Sequence, residues 1–188
     1  MKKLLILALL GVVGSANAVV ISYGASLEPR FEVNPPTGTN ATTIGSMGFK
    51  LDTVTGDIVG TMTGLDLTSN VVGFHIHTPA PPGVNTQVAV ALDALPRFFQ
   101  NTTVVGGRTY FTVGFEGNVN DVLRNGRTLD DVVMALDAGL AYGNLHTAIN
   151  PGGEIRGQLC ETEAVPEPAS LAALGVGLAA LVRRRRKG

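Results

Sequence analysis

The chain has no tryptophan, one cysteine and three histidines among 188 residues, and charged side chains make up only 15% of it. A single cysteine, Cys160, excludes an internal disulfide, so the fold must be held by packing rather than by staples. Three readings of that thiol stay open: a buried group at the end of a strand, an intermolecular bridge, or a reactive thiol. Its place between Leu159 and Glu161 puts it on the polar side of the local alternation. Enzyme fingerprints are missing as well. There is no G-x-S-x-G elbow, H-E-x-x-H, P-loop or dinucleotide-binding glycine motif. The adjacent carboxylates Asp130 and Asp131 fit the first turn of a helix better than an acid–base pair. Missing too is an apolar run long enough to cross a bilayer. The run at 169–182 holds 14 residues, about 21 Å as a helix against a hydrocarbon core of about 30 Å.

Both ends nevertheless read as addresses. Lys2 and Lys3, an apolar stretch at 4–13 and the A-x-A triplet Ala16-Asn17-Ala18 form a secretory signal peptide over 1–18, cleaved after Ala18 and served by the Sec export machinery. At the other end, Val165, Pro166, Glu167 and Pro168 precede the apolar run, which stops at Arg183, Arg184, Arg185, Arg186 and Lys187. Prolines on both sides of Glu167 bar regular helix and present an extended, accessible peptide. With arginine stems snorkelling to the cytoplasmic surface, the run makes a transient membrane anchor, its positive end inside and the domain outside. This order of turn motif, short apolar stretch and basic stop resembles the PEP-CTERM sorting signal of exported bacterial proteins. The resemblance implies that a membrane-embedded, transpeptidase-like enzyme, the exosortase, cuts near the motif and frees the domain at the cell surface or outside the cell. Fold reasoning is thereby confined to 19–164, with 165–188 as a sorting tail.

Setting the ends aside changes the electrostatics. Half of the 14 basic residues lie in them, whereas 14 of the 15 acidic residues lie between, so the middle carries a net charge of −7. An acidic domain without a basic stripe excludes nucleic acid as a partner and suits an extracellular protein. A chain of this size buries about 70% of its unfolded surface, enough for one core.

Segments 19–23, 44–51, 57–65, 71–77, 87–92, 108–115, 145–149 and 154–159 read as short strands, rich in β-branched and aromatic residues and divided by glycine-rich turns. They predict a mainly β fold, a single antiparallel sandwich or barrel-like domain, with the signal and tail segments as terminal helices. Thr128 to Asp131 forms a T-x-x-D capping box ahead of Val132, Val133, Leu136 and Leu140 at helical spacing. One helix is expected over 129–138, with Gly139 as its stop. Asn40-Ala41-Thr42 and Asn101-Thr102-Thr103 match the glycosylation sequon but read as polar loop residues.

Three histidines carry whatever chemistry the domain has. In V-V-G-F-H-I-H-T the alternation puts Val72, Phe74 and Ile76 on one face and His75 and His77 on the other, about 7 Å apart. Neutral imidazole ligates zinc and copper. A tetrahedral site needs further ligands, and a His-x-His on a strand is also read as a plain polar face. His146 is the candidate third ligand. In N-L-H-T-A-I-N-P-G-G-E-I-R-G-Q-L a three-residue loop, Pro151-Gly152-Gly153, would pair Asn150 with Glu154 and Ile149 with Ile155. Leu145, Thr147, Ile149, Ile155, Gly157 and Leu159 would then face the core, and His146, Arg156 and Gln158 the other side. For 150–153 itself a structural role is expected. No motif calls for a cofactor; the metals that His75, His77 and His146 suit are copper and zinc.

G-F-H-I-H-T-P-A-P-P-G from Gly73, A-Y-G-N-L-H-T from Ala141 and N-P-G-G-E-I-R-G-Q-L from Asn150 together resemble the CHRD domain, named for chordin, over about 41–161. That resemblance implies an extracellular, sandwich-like β domain without an established enzymatic activity. G-F-H-I-H alone is also similar to the copper-holding strand of copper/zinc superoxide dismutase, another β-sandwich. The carry-over reaches His75 and His77, with His146 as a further ligand. The dismutase also needs a zinc cluster with a bridging histidine and a disulfide, which three histidines and one cysteine do not furnish. Two readings follow: a non-enzymatic binding or structural module of surface material, with extracellular polysaccharide or matrix as partner, and a copper- or zinc-binding or redox module.

Overall fold

A computed structural model of the chain describes residues 19–162. The signal-peptide assignment, with Ala16 and Ala18, and the sorting tail from Val165 through Arg186 lie outside the described residues. Ten strands and one helix follow in chain order: β1 (Val20–Leu27), β2 (Ile44–Asp52), β3 (Asp57–Leu67), β4 (Val71–His77), β5 (Val88–Val90), β6 (Arg97–Val105), β7 (Arg108–Asn118), α1 (Leu129–Asp137), β8 (Tyr142–Thr147), β9 (Ile155–Gln158) and β10 (Cys160–Glu161). They form two antiparallel sheets, one in the order β10-β1-β2-β3-β7-β6 and a smaller one in the order β5-β4-β8-β9. The predicted mainly β architecture is the one found. Among the described residues no helix is long and apolar enough to cross a membrane.

Alternation decides which faces meet. Tyr23, Met47, Phe49, Leu51, Ile58, Met62, Phe111, Val113 and Phe115 of the large sheet are buried in one cluster with Phe74, Ile76, Leu145 and Ile155 of the small one. Phe74 on β4 reaches across to Phe111 and Phe115 on β7, at centroid distances of 6.1 and 6.0 Å. Such tilted aromatic contacts add to the burial of apolar area that drives the two layers together. The sheets come so close that a Cβ on Gly143 of β8 would lie 2.8 Å from Met47 Sδ of β2, and the methionine would have to move to admit it.

Local chemistry fixes the turns. The Asp52 carboxylate accepts from Val54 N and Thr55 N, and Gly56 takes φ +84°, closing the β2–β3 hairpin. Thr128 and Asp131 form the expected capping box on α1, and Gly139, at φ +67°, ends it in the left-handed conformation.

Four expectations need correction. A bulge between Val71 and Gly73 turns Val72 outward, 57% exposed, while Val71 packs against the core. The β8–β9 register pairs Leu145 with Ile155, Asn144 with Arg156 and Tyr142 with Gln158, so the connection is longer than three residues. The partner of Ile155 moves by four residues, an even number, so the side-chain faces survive; Ile149, now in the loop, is exposed. β6 was not expected, because F-F-Q-N-T-T-V-V shows no period-2 apolar pattern, and Asn101 accordingly lies in a strand rather than a loop. The 87–92 segment contributes three strand residues and passes into a short turn at Leu92–Ala94.

In the N-P-G-G-E segment, Asn150 and Glu154 carry bonds that join distant parts of the chain. Glu154, fully buried, accepts from Thr68 N at 2.7 Å and Asn150 Nδ2 at 3.2 Å, and from the hydroxyls of Thr68 and Thr147. Asn150 in turn bonds both the N–H and the carbonyl of Thr37, tying the 28–43 connection to the small sheet. Cys160 is exposed, on the side its parity indicated.

Candidate functional site

The outer face of the small sheet gathers the three histidines. His75 and His77 leave β4 on the side opposite Phe74 and Ile76, and β8 pairs antiparallel beside it, with Gly73 facing His146 and His77 facing Tyr142. Cross-strand neighbours share a face, so all three imidazoles converge. Their ring centroids stand 4.9 Å (His75–His146), 5.8 Å (His77–His146) and 5.9 Å (His75–His77) apart. One ring nitrogen from each lies within 4.8 Å of the other two.

This outer face is not open to water. His77 and His146 are 7% and 8% exposed, and Tyr142, Asn144 and Arg156 beside them are buried, because the 78–87 connection lies over them. The glycine at 73 leaves room for the pair His75 and Asp93. A Cβ would fall 3.0 Å from His75 Cε1 and 3.3 Å from the Asp93 carboxylate, where the ring and its partner already sit.

Each ring commits one nitrogen to an oxygen. His77 Nδ1 lies 2.9 Å from the Thr86 carbonyl, His146 Nδ1 3.0 Å from the Pro151 carbonyl and His75 Nε2 3.3 Å from Asp93 Oδ2. Carbonyls and carboxylates accept, so these contacts place the ring protons on those nitrogens. The other nitrogens, His75 Nδ1, His77 Nε2 and His146 Nε2, are buried and have no partner. Ligating histidines show this division, one nitrogen on an acceptor that fixes tautomer and plane, the other free for the ion.

Electrostatics keep two of the rings, His77 and His146, in the ligating form. Burial lowers His77 to about 4, against the pull of its Thr86 bond, with His146, His75 and Arg156 adding repulsion. Burial and the neighbouring His75 likewise bring His146 down to about 4. Burial raises the Asp93 carboxyl, but the hydrogen bond and charge of His75 outweigh it and hold the group below its ordinary value. On the far side, Glu32 is pushed up to about 7 by burial, partly offset by Arg156.

All three candidate ligands, His75, His77 and His146, are thus brought together. The surrounding residues were not legible. Asp93 sits in the turn at Leu92–Ala94, eighteen positions after His75, and no spacing rule links them. Thr86 and Pro151 act through backbone carbonyls, which leave no trace in side-chain patterns. Tyr142 had a visible cue, its place in A-Y-G-N-L-H-T four residues before His146, but pairing was needed to set it against His77.

The layered antiparallel sandwich with a histidine cluster on its outer sheet face defines the class of domain. The CHRD domain model matches residues 23–159, and the chain belongs to the CHRD family. That match begins at β1, ahead of the three motifs that carried the resemblance. The PEP-CTERM protein-sorting motif matches residues 164–187. It is the exosortase sorting signal, and it implies export and sorting to the cell surface. No curated protein and no solved structure matches the chain.

Proposed function

We propose that this exported domain holds one copper or zinc ion at the cell surface, through His75 Nδ1, His77 Nε2 and His146 Nε2. The observation that carries the reading is the set of three buried, unpartnered nitrogens, each on a ring whose other nitrogen is bound to an oxygen. An unpaired polar atom in a buried place costs about 1–3 kcal/mol, and a shared cation removes that cost three times over. Three neutral nitrogens suit copper or zinc and leave a further coordination position for water or a partner's group.

The ion serves here as something held rather than as a dismutase centre. The second nitrogen of each ring is taken by Asp93, Thr86 or Pro151, so none of the three is free to bridge to a second metal. Asp93, Thr86 and Pro151 orient the ligands, and burial keeps His77 and His146 deprotonated.

The test is the metal content of the exported protein after loading with copper(II) or zinc(II) and desalting, read by mass spectrometry of the elements. One equivalent of one metal is expected, falling below a tenth in His77→Ala and His146→Ala. Sub-stoichiometric binding of both metals by the unaltered protein removes the proposal. Competition between the two ions identifies which one the site prefers. Processing is checked on the same material. The mature chain should begin after Ala18 and lack the basic end from Arg183; an intact tail on extracellular protein would count against exosortase release.

A further inference from the structure

Among the described residues, three of the four sheet edges are short or covered. β5 is three residues long and is flanked by the bonds Ala91 N to Val122 O and Arg124 N to Ala89 O. β9 is joined to the end of β1 through reciprocal bonds between Glu28 and Arg156, and β10 is two residues long and carries Glu161. β6 is different. It runs nine residues, all of them exposed, and among the described residues no segment other than β7 bonds its backbone.

Open edges are usually guarded by lysine, proline, inward charges or shortness. From 98 to 107 this chain has no charged residue and no proline, and it exposes Phe98, Phe99, Val104 and Val105. The one charge at the start of β6, Arg97, is turned back onto Asp93 O and Gln100 Oε1. Elsewhere the domain carries the net charge of −7 counted above, so two copies repel over most approaches. The neutral edge is where that repulsion is least.

The strand also complements itself. Antiparallel pairing about a two-fold axis requires one residue to face its own copy, since paired residues must share a face. Centring on Asn101 sets Gln100 against Thr102 and Phe99 against Thr103, and it brings Phe98 toward Val104. These are aromatic, β-branched and amide pairs of the kind that stabilise sheets. We infer that two copies of this chain associate through β6, antiparallel and centred on Asn101, joining their large sheets into one continuous sheet. The inference is independent of the metal site.

Sedimentation of the exported protein, alone and as Asn101→Lys and Asn101→Glu, tests it. Asn101 is exposed, so both variants should keep the wild-type circular dichroism. The wild type is expected to dimerise. Each single-charge variant places like charges opposite one another and should weaken association roughly fivefold or more, and an equimolar mixture of the two should restore it. A wild type that stays monomeric through the micromolar range overturns the inference. So does a dimer indifferent to both variants, which would mean that another face pairs or that a terminal segment of the chain covers β6. A dimer that falls apart on chelation with EDTA would overturn it as well and assign the association to the ion.

Discussion

Tyr142 lies flat on His77, with ring centroids 4.8 Å apart and planes within 4°. The Arg156 guanidinium covers the other face of the tyrosine at 3.5 Å. The two rings are cross-strand partners on β4 and β8, so the stack follows from the sheet register. His77 is therefore fixed twice, in azimuth by its Nδ1 bond to Thr86 and in plane by Tyr142. Tyr142→Leu keeps the strand pairing but frees the plane of the ring. Metal affinity should fall about tenfold, the usual consequence of losing an outer support of a ligand, while Tyr142→Phe, which keeps the stack and loses the hydroxyl's bond from Thr86 N, should lower it less. Competition with a chromophoric chelator measures both, and an unchanged affinity in the leucine variant would separate Tyr142 from the site.

Gly73 sets the position of His75. A methyl group there meets the imidazole at 3.0 Å and the Asp93 carboxylate at 3.3 Å, so the ring or the carboxylate must give way by a few tenths of an ångström. Because His75 lies on the outer face, the hydrophobic core is untouched. Gly73→Ala is expected to weaken metal binding by about tenfold or more with a shift in unfolding midpoint equivalent to under about 1 kcal/mol. The reverse pattern, intact binding with a large loss of stability, would show that Gly73 serves the strand rather than the ligand.

The sheet content was legible because most strands alternate strongly and are bounded by glycine turns, and the helix was legible from Thr128, Asp131 and Gly139. The histidine cluster was legible for a related reason: parity alone puts His75 and His77 on one face, and an even shift in the β8–β9 register left His146 on the same side. What escaped depends on long-range placement. Asp93 meets His75 only because a turn after β5 folds back on β4, and Phe98 to Val105 form a strand because β7 templates them, not because their own pattern demands it. Propensity and period report local preference, and tertiary pairing overrides them where the local signal is weak.

Glu154 joins the 68 region to the β8–β9 connection from a fully buried position. Its carboxyl takes bonds from Thr68 N, Asn150 Nδ2 and two threonine hydroxyls. Glu154→Ala leaves those donors without acceptors and opens a cavity, and unmade buried bonds are costly one by one. A loss of about 3–5 kcal/mol is expected by urea denaturation. A loss below about 1 kcal/mol would mean that water replaces the carboxyl without difficulty.

The metal-free protein should lose stability in mild acid, and the direction follows from the rings. His77 and His146 titrate near 4 in the folded chain against an ordinary value of 6.5, mainly because burial disfavours the charged form. Between those values the unfolded chain binds more protons than the folded one. Their contribution is therefore complete above about pH 6.5 and is lost as pH falls toward 4. At about 1.4 kcal/mol per pKa unit the effect is on the order of 3 kcal/mol per ring. Glu32 acts in the opposite sense. Raised to about 7 by burial, it favours the folded state below its unfolded value near 4.5 and loses that contribution as pH rises through 7. The two trends overlap and partly cancel in the wild type. Glu32→Gln removes the opposing one, so its stability should decline steeply and monotonically from pH 6.5 to 4 and exceed that of the wild type at pH 8. His77→Gln with His146→Gln should flatten the acid limb. Urea midpoints across this range in apoprotein decide the matter, and an acid limb that survives the double histidine change would assign it to the carboxylates instead.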